Sequence, residues 1–139
     1  MRKITVYYDD IKHEVEIEND KLIVPEGVKY VSCGNNQLTE LALPEGVEYL
    51  YCDNNKLGEL IIPEGVEYFS CSNNKLGELI LPEGIKFVYC SNNQLTKLIL
   101  PEGVKYVSCK NNKLKEIILP EGIEWVSCDE GVTKVKLNN

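Results

Sequence analysis

The chain has 139 residues, 43% of them hydrophobic, with 22 acidic against 15 basic side chains and a formal charge of -7. That is one domain's worth of chain, with enough apolar content for a core if it is patterned. An acidic chain whose longest basic run is Arg2-Lys3 lacks the charge that holds phosphate, and no apolar stretch approaches bilayer length, which argues against nucleic-acid and membrane partners.

The first residues, MRKITVYYDDIKHEV, hold no apolar signal core, so the cytoplasm is the expected location. KITVYY and IKHEVEI alternate apolar and polar around Asp9-Asp10, which predicts a β-hairpin. It precedes the repeats described next, and residues 1–20 are expected to cap them. His13 falls on the alternation of Ile11, Val15 and Ile17, as a partly covered residue of that cap with no chemical role.

From residue 21 to 128 one sentence of 19 residues recurs, most clearly in LTKLILPEGVKYVSCKNNK at 95–113. Pro-Glu-Gly returns at Pro25, Pro44, Pro63, Pro82, Pro101 and Pro120. Cysteine keeps the same step at Cys33, Cys52, Cys71, Cys90, Cys109 and Cys128. A fixed period of this size predicts a solenoid, whose units bury their apolar sides only by stacking on one another.

Within a unit the apolar residues fall as Val47, Leu50, Cys52 and Leu57, with Asn55 between the last two. The other units repeat the arrangement around Asn36, Asn74, Asn93 and Asn112. This is the pattern L-x-x-L-x-L-x-x-N-x-L, and over about five full units the chain resembles the leucine-rich-repeat family. The resemblance implies a right-handed superhelix with a parallel sheet on its concave side. The asparagine is suited to bonding backbone groups of its own and adjacent turns. Asn35, Asn54, Asn73, Asn92 and Asn111, one residue earlier, are expected to face solvent as turn residues.

In the second half of each unit, Leu38, Leu41 and Leu43 and their equivalents are expected to point inward. Few residues remain to return the chain, and the following proline discourages a helix. The resemblance is therefore to the short bacterial class, here in an idealised form, with extended, non-helical return segments and an overall β-rich solenoid. Pro-Glu-Gly turns the corner, glycine supplying a φ that other residues avoid.

One cysteine at the same place in every turn predicts a column of buried free thiols. Stacked neighbours about 5 Å apart lie within disulfide range, but pairing would require both side chains to leave their inward positions. No Cys-x-x-Cys pair is present and His13 is the only histidine, so no zinc site and no cofactor are expected. After Cys128 the Asn-Asn pair is replaced in DEGVTKVKLNN. Residues 129–139 are read as a C-terminal capping strand one residue out of step, with Val132, Val135 and Leu137 inward and Lys134 and Lys136 outward.

Two surfaces are candidates for function. On the concave face one column is aromatic in every unit: Tyr30, Tyr49, Tyr68, Phe87, Tyr106 and Trp125. Tyr51, Tyr89 and Lys110 stand in columns beside it. Tyrosine and tryptophan favour protein interfaces, whereas rings repeating about 5 Å apart also stabilise one another. On the return side, Ile23, Ala42, Ile61, Ile80, Ile99 and Ile118 alternate with inward residues, so an outward apolar stripe and self-association into a homo-oligomer are predicted.

The resemblance implies a non-enzymatic scaffold that binds a protein on its concave face. The alternatives are a carbohydrate-binding module, with sugars stacking on the tyrosines, and a structural or engineered repeat without a natural ligand. No Cys–His pair, Ser-His-Asp set, phosphate loop or metal cluster marks an enzyme.

Overall fold

The structure is a computed structural model that describes residues 1–136. Arg2–Tyr8 (β1) and Ile11–Ile17 (β2) form the antiparallel hairpin. Its two turn residues, Asp9 and Asp10, have φ of 50° and 65°, the type I′ geometry whose twist suits paired strands. Lys21–Ile23 (β3), Tyr30–Ser32 (β4), Glu40–Ala42 (β5), Tyr49–Tyr51 (β6) and Tyr68–Ser70 (β7) follow. Then come Phe87–Tyr89 (β8), Tyr106–Ser108 (β9), Glu116–Leu119 (β10), Trp125–Ser127 (β11) and Thr133–Lys136 (β12), with no helix among the described residues.

An eight-stranded sheet runs β11-β9-β8-β7-β6-β4-β1-β2. Its five parallel pairings keep one register, so Tyr30, Tyr49, Tyr68, Phe87, Tyr106 and Trp125 stand side by side. β1 joins antiparallel, with Tyr7 opposite Ser32 and Tyr8 opposite Val31. The hairpin therefore continues the sheet instead of lying across its end. Asp9 seals the junction, its Oδ1 accepting from the Lys29 and Tyr30 amides at 2.9 Å.

The chain is thus a β-solenoid of about six turns with a period near 19 residues. Its core is a stack of like on like. Val31, Leu50, Phe69, Val88 and Val107 form one buried column beneath the sheet, and Cys33, Cys52, Cys71, Cys90 and Cys109 form another. All six cysteines are free, and Cys128, in the last turn, is half-buried. Burial raises the thiols of Cys33 and Cys109 to about 12 and pushes those of Cys52, Cys71 and Cys90 well up, because a thiolate there would lose its water. Neighbouring anionic groups act in the same direction. Each buried thiol is a small hydrophobe with a proton.

Where the chain leaves the sheet, buried polar groups need partners. Asn55, Asn74, Asn93 and Asn112 each donate from Nδ2 to the cysteine carbonyl of their own turn and of the turn before, at 3.0–3.2 Å. Each Oδ1 accepts a leucine amide of the preceding turn at 2.9–3.0 Å. Asn36 has no earlier repeat to bond, and donates instead to Thr5 O of the hairpin at 3.0 Å. The preceding asparagines are exposed with φ of 58–60°, a left-handed conformation that asparagine tolerates better than most residues. Gly34 lies beside them for another reason: a Cβ there would sit 3.0 Å from Asp53 O.

The return side is less regular. β3 pairs with β5, β10 pairs with β12, and a single bridge joins Ile99 to Ile118. Among the described residues no ladder joins 40–42 to 59–61, 59–61 to 78–80, or 78–80 to 97–99. The middle turns are hydrogen-bonded through the sheet and the asparagine bend but not through their return segments.

Two expectations are corrected. β12 pairs with β10 at an offset of 17, Ile117 beside Lys134 and Ile118 beside Val135, two residues short of the period. A tight turn at 129–132, with Gly131 at φ 91° and Val132 N–H on Asp129 O, replaces the longer asparagine bend. One further residue out of step moves every side chain to the other face. Val135 is therefore exposed in line with the isoleucine stripe, and Lys134 takes the inward row, where no later described turn covers it. Leu137 lies outside the described residues. The second correction concerns His13, which is exposed. β2 has only β1 as a neighbour, so its first half overhangs the core, and His13 stands opposite Val6 with the Tyr8 ring 5.0 Å away.

Candidate functional site

The long sheet has one face on the core and the other bare. Three-residue strands give that bare face two positions each, so it carries two rows of side chains. In the first row, Tyr49, Tyr68, Phe87 and Tyr106 stack with centroids 4.3–5.0 Å apart and planes within 15° of parallel. In-register parallel strands at this spacing force like rings into contact, and stacking contributes about 0.5–1.5 kcal/mol per pair beyond burial. Tyr30 departs from the ladder, meeting Tyr49 edge-on at 68°. Trp125, on the terminal strand β11, is exposed.

The second row reads Ser32, Tyr51, Ser70, Tyr89, Ser108 and Ser127. Pairing of β1 with β4 adds Tyr7 at its head. Large and small side chains alternate from Tyr7 to Ser108, so Ser32 and Ser70 each sit in a notch between two tyrosines. The notch at Ser70 is closed: the residue is only 6% exposed and its hydroxyl donates to Asp53 Oδ1 at 2.6 Å. The same carboxylate accepts the Ser72 amide at 2.8 Å, which commits Asp53 to its neighbours. The notch at Ser32 stays open as a cleft of about 280 Å³ walled by Tyr7, Tyr30, Tyr49 and Tyr51, with Asp10 on its rim.

Of the residues singled out from sequence, Tyr30, Tyr49, Tyr51, Tyr68, Phe87, Tyr89, Tyr106 and Trp125 share this face. Lys110 lies past the end of β9, in the bend, and is exposed. Tyr7 and Asp10 were missed. The alternation of KITVYY places Tyr7 opposite the face of Val6 and Tyr8, but which strand β1 joins cannot be read from a hairpin alone.

Burial and neighbouring groups raise the phenols of Tyr49 and Tyr51, and the Glu124 carboxylate raises that of Tyr106. The face therefore offers rings, hydroxyl donors and few charges. Among the described residues no group of three or more histidine, cysteine or acidic side chains is placed to hold a metal ion.

On the opposite side Ile61, Ile80 and Ile99 are 87%, 76% and 66% exposed. Ile23 and Ile118 are exposed in the same row, whereas Ala42 is half-buried. No helix of the described residues is long and apolar enough to cross a membrane. No known protein family, curated protein or solved structure matches the chain.

Proposed function

We propose that the chain is a non-enzymatic scaffold of the leucine-rich-repeat type that binds a protein partner on the bare face of its long sheet, in the cytoplasm. The observation that carries this reading is the continuous aromatic surface, six turns long, left in solvent by a sheet whose other face is core. Rings with a polar tip lose little freedom on contact and dominate interface energetics. Stacking pre-organises the middle of the surface, and the non-stacked Tyr51 and Trp125 break its uniformity, as a specific contact requires. The uneven hydrogen bonding supports the curvature this reading needs. Turns tied through the sheet but not through their return segments favour a wider spacing on the return side, and in this reading the aromatic face is the concave one.

The test is a pull-down comparing the native chain with a variant in which Tyr49, Tyr51 and Tyr89 are alanine. The native bait is expected to retain a protein that the variant loses. Identical retained sets would end the proposal.

The isoleucine stripe favours a second association, of the chain with itself. Side chains this exposed and this regularly spaced form a patch larger than scattered surface residues make. Sedimentation at increasing concentration is expected to show a reversible oligomer that Ile80→Lys converts to monomer. A native chain that stays monomeric throughout would contradict it.

A further inference from the structure

We infer that the open cleft at Ser32 is a binding site for an alkylammonium cation. The cleft arises because a small residue stands between two large ones in the same row. Tyr7 on β1 and Tyr51 on β6 flank Ser32, and Tyr30 and Tyr49 close the side toward the hairpin turn. Four tyrosines thus line one space, and an aromatic face attracts a cation through its quadrupole. Tyr30 is turned out of the ladder, edge-on to Tyr49, and is therefore not consumed by stacking as Tyr68 and Phe87 are.

Charge points the same way. Asp9 is committed to two backbone amides, but among the described residues no hydrogen bond or ion pair engages Asp10. Asp10 is the one charged residue lining the cleft, which no lysine or arginine lines. The space of about 280 Å³ lies just below the usual range for drug-sized ligands, about 300–1,000 Å³, and suits a head group. A strongly hydrated metal ion finds one carboxylate here and too few oxygens. A weakly hydrated ammonium bearing methyl groups finds both the rings and the charge it needs. The cleft's ligand is independent of whatever covers the rest of the face, so a protein partner could be absent and the cation still bind.

The test uses choline and its neutral carbon isostere, 3,3-dimethylbutan-1-ol, titrated into the full chain at matched ionic strength. Amide and ring NMR signals of Tyr7, Tyr30, Ser32 and Tyr51 report binding. Choline is expected to shift them saturably and to bind about tenfold tighter than the alcohol. Asp10→Asn keeps the turn, since asparagine tolerates its positive φ, and is expected to weaken choline about threefold or more without changing the alcohol. Tyr51→Leu is expected to abolish the choline shifts while signals from the far turns stay in place. A peptide carrying trimethyl-lysine distinguishes the sources: tighter binding than choline points to a side chain of a protein, equal binding to a free small cation. Equal affinity for choline and the alcohol would mark an apolar or sugar-binding notch and overturn the inference, as would the absence of any saturable shift.

Discussion

Asn74→Ala is expected to lower the free energy of unfolding by about 3 kcal/mol, read as a lower urea midpoint at unchanged slope. The side chain is buried and works in both directions. Nδ2 donates to Cys52 O at 3.1 Å and Cys71 O at 3.0 Å, and Oδ1 accepts from Leu57 N at 3.0 Å. Truncation leaves the buried Leu57 amide without a partner, costing about 1–3 kcal/mol, and takes one of two donors from each carbonyl, Cys52 O keeping Asn55 and Cys71 O keeping Asn93, at about 1 kcal/mol per lost bond. Water admitted by the smaller side chain offsets part of that sum. The neighbouring Asn73 supplies the control. It is exposed at φ 59°, and glycine adopts that conformation without strain, so Asn73→Gly is expected to stay within about 0.5 kcal/mol of the native chain. Equal midpoints for the two variants would mean that the buried asparagine file does not hold the bend.

Phe69→Ala is expected to cost about 4 kcal/mol by the same measurement. Phe69 is the largest fully buried side chain and is flanked in register by Leu50 and Val88. Both neighbouring strands are hydrogen-bonded to its own, so they cannot move in to fill the void. That rigidity places the loss toward the upper part of the range for large-to-small core changes. Phe69→Leu keeps most of the volume and is expected to cost about 1.5 kcal/mol or less. Were alanine no worse than leucine, the column would have to be far looser than its zero exposure indicates.

These two residues also show why so much was legible in advance. A fixed step of 19 residues makes each column of letters a column in space, so Asn74 and Phe69 announce their neighbours by arithmetic alone. The same arithmetic placed Tyr49 beside Tyr68 and Ile61 beside Ile80. It fails wherever the step changes. After Cys128 the chain turns on Gly131 and saves two residues, and a count off by one turned Val135 to the wrong side. At the other end the period has not begun. That Tyr7 would stand opposite Ser32, or that Asp10 would overlook a cleft, depends on the edge chosen by the hairpin, which local alternation leaves open. Nor does periodicity predict rotamers, so the turned ring of Tyr30 among stacked ones was beyond it.

The one-sided tying of the turns has a mechanical meaning. Among the described residues no backbone bond links 59–61 to 78–80 or 78–80 to 97–99, so these segments can spread without breaking one, whereas opening the sheet breaks a ladder at every level. The molecule is therefore stiff along the sheet and compliant along the opposite flank, so bending changes the spacing of the exposed isoleucines while the stacked rings keep theirs.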